Sequence, residues 1–242
     1  HWRRIGSSLR SLIQVAGDQM GCNVQSLDQD AGSHLGSLIS RMYRYILRGG
    51  EGGGVQRSRQ GRTFELAYVI LVSDEVHNYM SKLEIDLMKQ YGAHEGLKAA
   101  PHITLKLGFH VTDIEPFERY FDELVNKIEP FEICVKNFGF FDEAGIIYMD
   151  VVHTPELDSL RRRIVNDLST QHGIKPNALE GDQYHFHATL AYLSKNDFSR
   201  ARREFEHVKI ERRFVMNTLG LICHTGDGWI TYKRARSTQV PA

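Results

Sequence analysis

The chain has 242 residues, of which 41% are hydrophobic and 25% charged, and its 30 basic and 30 acidic side chains cancel. That length allows one sizeable core, or one domain with a small appendage. No run approaches about 18 uncharged apolar residues, which excludes a spanning helix, and no signal peptide is legible. Cys22, Cys134 and Cys223 are sparse and odd in number, with no CxxC pair. They argue against a disulfide scaffold or a structural zinc site, so we expect reduced thiols and a cytoplasmic protein. Charge is uneven: residues 1–48 carry +3, residues 49–62 carry +2 and the remainder carries −5. An acidic main domain is a poor non-specific binder of long nucleic acid, which relies on many phosphate contacts. A small ligand or a short RNA end fits better.

In chain order, residues 1–48 hold two helical patterns. Leu9, Leu12, Ile13 and Ala16 form the first stripe, and Leu35, Leu38, Ile39, Met42 and Ile46 the second. Residues 49–62, opening Gly49-Gly50-Glu51-Gly52-Gly53-Gly54, have linker composition. Residues 63–242 form the main domain. Glu65–Ser73 reads as a buried strand and Asp74–Tyr91 as a helix, with a stripe of Val76, Tyr79, Met80, Leu83, Leu87 and Met88. Pro101–Phe109 alternates like a strand and Ile114–Ile128 is helical. Phe131–Phe141 and Gly145–Val152 read as strands, Pro155–Gln171 as a helix and Tyr184–Leu193 as a strand. Asp197–Glu206 is a short helix, and Val208–Val215, Leu219–His224 and Trp229–Arg234 are strands. Strands and helices mix without a βαβ rhythm, so the class is α+β.

The main domain reads as two related halves. Strand 65–73, helix 74–91 and His102-Ile103-Thr104-Leu105 are followed by strand 145–152, helix 155–171 and His187-Ala188-Thr189-Leu190. A doubled unit implies a pseudo-twofold, bilobal domain: two antiparallel sheets around a central cleft, flanked by helices. In a strand, alternate residues share a face. His102, Thr104 and Lys106 should therefore point one way, and His185, His187, Thr189 and Ala191 should share the matching face of the second strand.

Such a set suits chemistry at phosphorus. One histidine can take a proton from the nucleophile while the other gives one to the leaving oxygen, because both protonation states are reachable near neutral pH. Two threonine hydroxyls can donate to the non-bridging oxygens as charge builds there.

These residues carry a resemblance. His102-Ile-Thr-Leu and His187-Ala-Thr-Leu, 85 residues apart, look like the paired His-x-Thr motifs of the two-histidine phosphoesterase superfamily, which includes the 2′–5′ RNA ligase/RNA 2′,3′-cyclic phosphodiesterase family. The resemblance covers roughly residues 63–235. It implies a bilobal α+β fold, no metal or other cofactor, and a site of both histidines and both threonines. It also implies cleavage of 2′,3′-cyclic or 2′–5′ phosphodiesters, reversible as 2′–5′ joining in some members. Members of the bacterial group often place an Arg where this chain has Tyr192; Lys106 is the candidate replacement.

His185 with His187 makes an HxH whose rival reading is a metal site, with Glu180 or Asp182 nearby; zinc needs three or four ligands, and His185 is read instead as a residue lining the cleft. Tyr148, beside Asp150, can stack on a base or pack in the core. Tyr184 and Phe141 are weaker candidates of the same kind. His110, His153, His172, His207 and His224 read as surface or loop histidines. A rival to the enzyme is a module that holds a nucleotide or RNA end without turnover. Expected partners are a ribonucleotide or RNA-end substrate and, through residues 1–48, a second subunit or another protein; no membrane is expected.

Overall fold

The computed structural model describes residues 63–239; the helices and linker expected in residues 1–62 lie outside the described residues. Eight strands and four α-helices alternate along the described chain: β1 (Phe64–Leu71), α1 (Asp74–Tyr91), β2 (His102–Val111), α2 (Glu115–Asn126), β3 (Phe131–Phe141), β4 (Ile146–Val151), α3 (Pro155–His172), β5 (His187–Tyr192), α4 (Lys195–Phe205), β6 (Glu211–Met216), β7 (Thr218–His224) and β8 (Trp229–Arg236). Short 3₁₀ turns at Glu95–Lys98 and Ala178–Glu180 precede the two motif strands. The strands form two antiparallel four-stranded sheets, ordered β2-β1-β7-β8 and β5-β4-β3-β6. The α+β class and the paired sheets match the expectation from sequence.

The halves are punctuated alike. Ser73 caps α1 by accepting a hydrogen bond from the Val76 N–H, and Thr154 caps α3 by accepting from the Leu157 N–H. Each helix ends on a left-handed glycine with φ 69°, Gly92 or Gly173, a conformation costly to any residue with a Cβ. Central strand β1 is buried almost throughout, because both of its faces are covered. Edge strand β6 instead alternates buried or half-buried residues with exposed ones, β8 exposes Ile230, Thr231 and Tyr232 in a row before it alternates, and the Arg and Lys side chains of both discourage further pairing.

Motif strands β2 and β5 are the outermost strands of their sheets and touch each other. Helix α1 packs against β5, and α3 against β2, so each half's helix covers the other half's motif strand. Leu105, Leu190, Phe121, Leu168 and Tyr68 are among the fully buried side chains of one continuous core.

Several boundaries differ from the sequence reading. Strand β5 begins at His187 rather than Tyr184, because its ladder to β4 opens with the pair Asp150–His187. Strand β6 starts at Glu211 rather than Val208, and α4 starts at Lys195, two residues early, where Ser194 supplies the cap. Among the histidines read as surface groups, His172 packs against Phe117 and Tyr120, and His224 against Trp229.

Candidate active site

Both motif strands carry a β-bulge at the same place. In the β1–β2 ladder, Val69 faces Thr104 and Tyr68 faces Lys106, so Leu105 is skipped. In the β4–β5 ladder, Tyr148 faces Thr189 and Ile147 faces Ala191, so Leu190 is skipped. A one-residue slip inverts the alternation beyond it. His and Thr therefore share a half-buried face before each bulge, and the residue after it turns inward.

That inversion corrects the expectation for Lys106. Its side chain is only 1% exposed and points away from the face of His102 and Thr104. Its Nζ donates to Glu180 Oε2 at 2.8 Å, and Glu180 also accepts from the N–H groups of Leu107 and Asn177, both at 2.6 Å. Burying a lysine needs a carboxylate partner, and Glu180 supplies it. Ala191 likewise turns inward, so it does not share the face of His187 as expected. Tyr192 swings to the half-buried side, but five residues beyond His187, roughly 16 Å along the strand.

The two histidines are held in the same way. His102 Nδ1 lies 2.7 Å from the Ala100 carbonyl, and His187 Nδ1 lies 2.9 Å from the His185 carbonyl. Only a protonated Nδ1 can donate to a carbonyl, so in each neutral ring Nε2 is the lone-pair nitrogen. Burial lowers the pKa of His102 below its usual value. It pushes His187 down to about 4, with repulsion from His185 and His102 adding to the shift against the favourable backbone bond. Both rings are therefore neutral at neutral pH.

The wall on the β5 side is aromatic. Phe141 stands edge-on to His187 at 5.0 Å between centroids, and Tyr148 lies 5.2 Å from His187 and 4.3 Å from Phe141. Tyr148 is 6% exposed and covers Gly139, where a methyl group would land on its ring. His185 lies parallel to His187 at 6.2 Å, with its Nε2 3.0 Å from Asp150 Oδ1. The wall beside His102 is apolar: Val69, Leu71, Ala67, Ile222 and Trp229 make a small cluster of their own.

A support network runs behind the site. Tyr184 donates its hydroxyl to the Thr104 carbonyl at 2.9 Å, the Arg161 guanidinium lies 4.5 Å over the Tyr184 ring, and Arg161 donates to the carbonyls of Glu180 and Gly181. Sequence reasoning missed Arg161, the structural role of Glu180, and Trp229. The only available signal was a charged residue, Arg161, one step from the apolar stripe of its helix. Among the described residues no three His, Cys, Asp or Glu side chains converge to hold a metal ion.

The model of the 2′-5′ RNA ligase superfamily matches residues 72–228. A search of curated proteins gives no match. Among solved structures, a protein described as a phosphoesterase is similar over 74% of this chain and 100% of its own, at 15% identity and a TM-score of 0.50. Escherichia coli LigT in apo form matches over the same shares at 16% identity and a TM-score of 0.47.

Proposed function

The chain belongs to the 2′-5′ RNA ligase superfamily, and on that premise we propose that it is a phosphodiesterase that uses His102 and His187 as a paired base and acid on 2′,3′-cyclic or 2′–5′-linked ribonucleotide phosphates. The observation that carries this reading is the matched anchoring of the two imidazoles. Each donates Nδ1–H to the carbonyl two residues upstream, on strands that bulge at the same position and touch.

On a 2′,3′-cyclic phosphate, one Nε2 takes a proton from water as its oxygen bonds to phosphorus. The other imidazolium gives its proton to the ribose oxygen whose bond to phosphorus breaks. On a 2′–5′ link, the neighbouring 3′-hydroxyl is the nucleophile. A 2′,3′-cyclic phosphate forms and the 5′-oxygen leaves as a hydroxyl; the reverse path joins 2′–5′ ends. Thr104 and Thr189 donate to the non-bridging oxygens. The anionic phosphate supplies what the neutral site lacks, since its charge favours a proton on one of two rings whose pKa values burial has lowered. Tyr148 and Phe141 form a wall against which a base or ribose can rest, with His185 at its rim.

The test is turnover of a 2′,3′-cyclic mononucleotide and of a 2′–5′ dinucleotide, with a chelator present. We expect at least one to be cleaved, and His102→Ala and His187→Ala each to lose about 10²–10⁴-fold or more while folding is retained. Normal turnover by either variant sinks the assignment. Binding without turnover by the folded wild-type protein points instead to a module that only holds a nucleotide or RNA end.

A further inference from the structure

Helix α1 turns an apolar stripe inward, and Glu84 lies on it: Val76, Met80, Glu84 and Leu87 are its buried residues. Glu84 is 3% exposed. Its carboxylate has no hydrogen-bond or ion-pair partner among the described residues, although neither oxygen is sealed off, since the one sealed and unpartnered side-chain polar atom among them is Arg161 Nε. Glu84 lines a cavity of about 280 Å³ together with His77, Ser81, Lys98, Ala100, Pro101 and Trp229, and the Lys98 ammonium is taken by Glu95 at 3.0 Å. An acid buried without a partner is costly, so such a placement points to a ligand that completes it.

The position of this cavity ties it to the catalytic strand. Ala100, whose carbonyl anchors His102, forms part of its wall. Trp229, another part, packs in the cluster with Val69 and Leu71, the cross-strand partners of Thr104 and His102. Its indole lies across Gly108, where a Cβ would sit 3.2 Å from the ring, and the His224 ring stands edge-on to it at 5.1 Å. The volume lies just under the range of about 300–1,000 Å³ typical of small-molecule sites, enough for one ring system and no more.

Two unpartnered carboxylate oxygens and an indole in one cavity lining select for a flat ring with two adjacent N–H donors. Guanine presents such an edge in its N1–H and its exocyclic amino group. Adenine and cytosine offer a single amino group, and uracil a single imino N–H. A divalent cation fits less well, since no three ligand side chains converge among the described residues. We propose that this cavity is a guanine-selective base site next to His102, in which Glu84 accepts from the Watson–Crick edge and Trp229 stacks on the ring. The assignment deepens the phosphodiesterase reading and rests on it for the placement of the phosphate, but not for binding of the base.

The test separates the two. The Trp2→Phe protein keeps Trp229 as its only tryptophan, so quenching of its fluorescence reports on the cavity directly. Titration with GMP, AMP, CMP and UMP should give half-quenching by GMP at a concentration about tenfold or more below the others. Glu84→Gln, which keeps the shape, should abolish that preference. The four 2′,3′-cyclic mononucleotides should follow the same order in kcat/KM, with the guanine form favoured through KM. Equal quenching by all four nucleotides, or an unchanged GMP preference in Glu84→Gln, overturns the proposal. If no cyclic nucleotide is turned over while GMP still quenches selectively, the base site stands and the acid–base reading is what fails.

Discussion

Beside His102 and Thr104, the neighbouring strand offers Leu71 and Val69; beside His187 and Thr189, the equivalent positions are Asp150 and Tyr148. The next strand inward then supplies a glycine in both halves, Gly220 opposite Val69 and Gly139 opposite Tyr148. The bulge, the glycine and the Nδ1 anchor are thus repeated, while the side chains that form the walls are not. This pattern suits the phosphodiester chemistry proposed above. In the proposed reaction, acid and base play equivalent parts on either side of phosphorus, whereas the groups attached to phosphorus differ. One side has an apolar wall with an indole and the other an aromatic cluster with a His–Asp pair, so on the proposed reading the two ends of a substrate meet different surroundings.

The halves also brace their bulges differently. On β2, Glu180 reaches in and accepts from the Leu107 N–H and Lys106 Nζ; on β5, Gly96 lies so close to the Leu190 carbonyl that a Cβ would collide with it. The largest effect should come from breaking the ionic brace. Lys106→Met strands a buried carboxylate and should cost about 3–5 kcal/mol in urea unfolding. The equivalent position on β5 is Ala191, which has no such partner to lose. A cost below about 1 kcal/mol would show that the backbone bonds of Glu180 suffice and that the asymmetry has no energetic weight. Next in size are the hydroxyls. Thr104→Val and Thr189→Val should each lower kcat/KM about 10²-fold with unchanged melting. If only one of them matters, the phosphate sits off the pseudo-axis and the symmetric reading of the site needs revision.

Much of this was legible in the sequence. The doubled His-x-Thr, with a strand and a helix before each, foretold two sheets and a shared cleft, because period-2 and period-3.6 patterns repeat in the same order. Lys106 was misplaced for a specific reason. Parity counting assumes a regular ladder, and a bulge at Leu105 has no residue signature: Leu is an ordinary strand residue, and no glycine or proline marks the slip. Glu84 was invisible for the opposite reason. It lies four residues after Met80 and eight after Val76, on the helical stripe itself, and an acid there reads as a break in the apolar face rather than as part of it. The brace from Glu180 joins residues 74 positions apart, a separation beyond the reach of local pattern.

The anchored histidines make a prediction about pH. In the proposed mechanism the productive enzyme carries one proton on the pair, and that state peaks between the two pKa values, which belong to the pair rather than to either ring. His187 lies near 4 and His102 below its usual 6.5. Raising the pH removes the acid early, so kcat/KM, which reports the free enzyme, should be highest on the acidic side of neutrality. It should fall roughly tenfold or more between pH 6.5 and 8. An optimum above pH 7.5 would mean that neither histidine is the acid. Because the two anchors are alike while His187 alone faces His185, the two limbs also test the comparison. His185→Asn should raise the lower limb and leave the upper one in place.

The smallest expected effect belongs to Glu84, on the apolar side of the molecule. Burial pushes its pKa from 4.5 to about 7. A carboxyl whose folded pKa is raised favours the native state while it is protonated. That stability is fully present below pH 4.5, is lost as the pH rises through 7, and is absent above it. The shift corresponds to at most roughly 3 kcal/mol. The place of Glu84 in the lining of a solvent-connected cavity reduces it, so a net gain of about 1 kcal/mol is expected for Glu84→Gln at pH 8 and none at pH 4.5. Urea unfolding at the two pH values measures it. A variant less stable than wild type at pH 8 would mean that the carboxylate already has a partner in the folded protein, leaving nothing for a base to complete. A variant that gains stability there while losing its GMP preference would identify Glu84 as a residue kept for binding at the expense of the fold, with no counterpart in the other half.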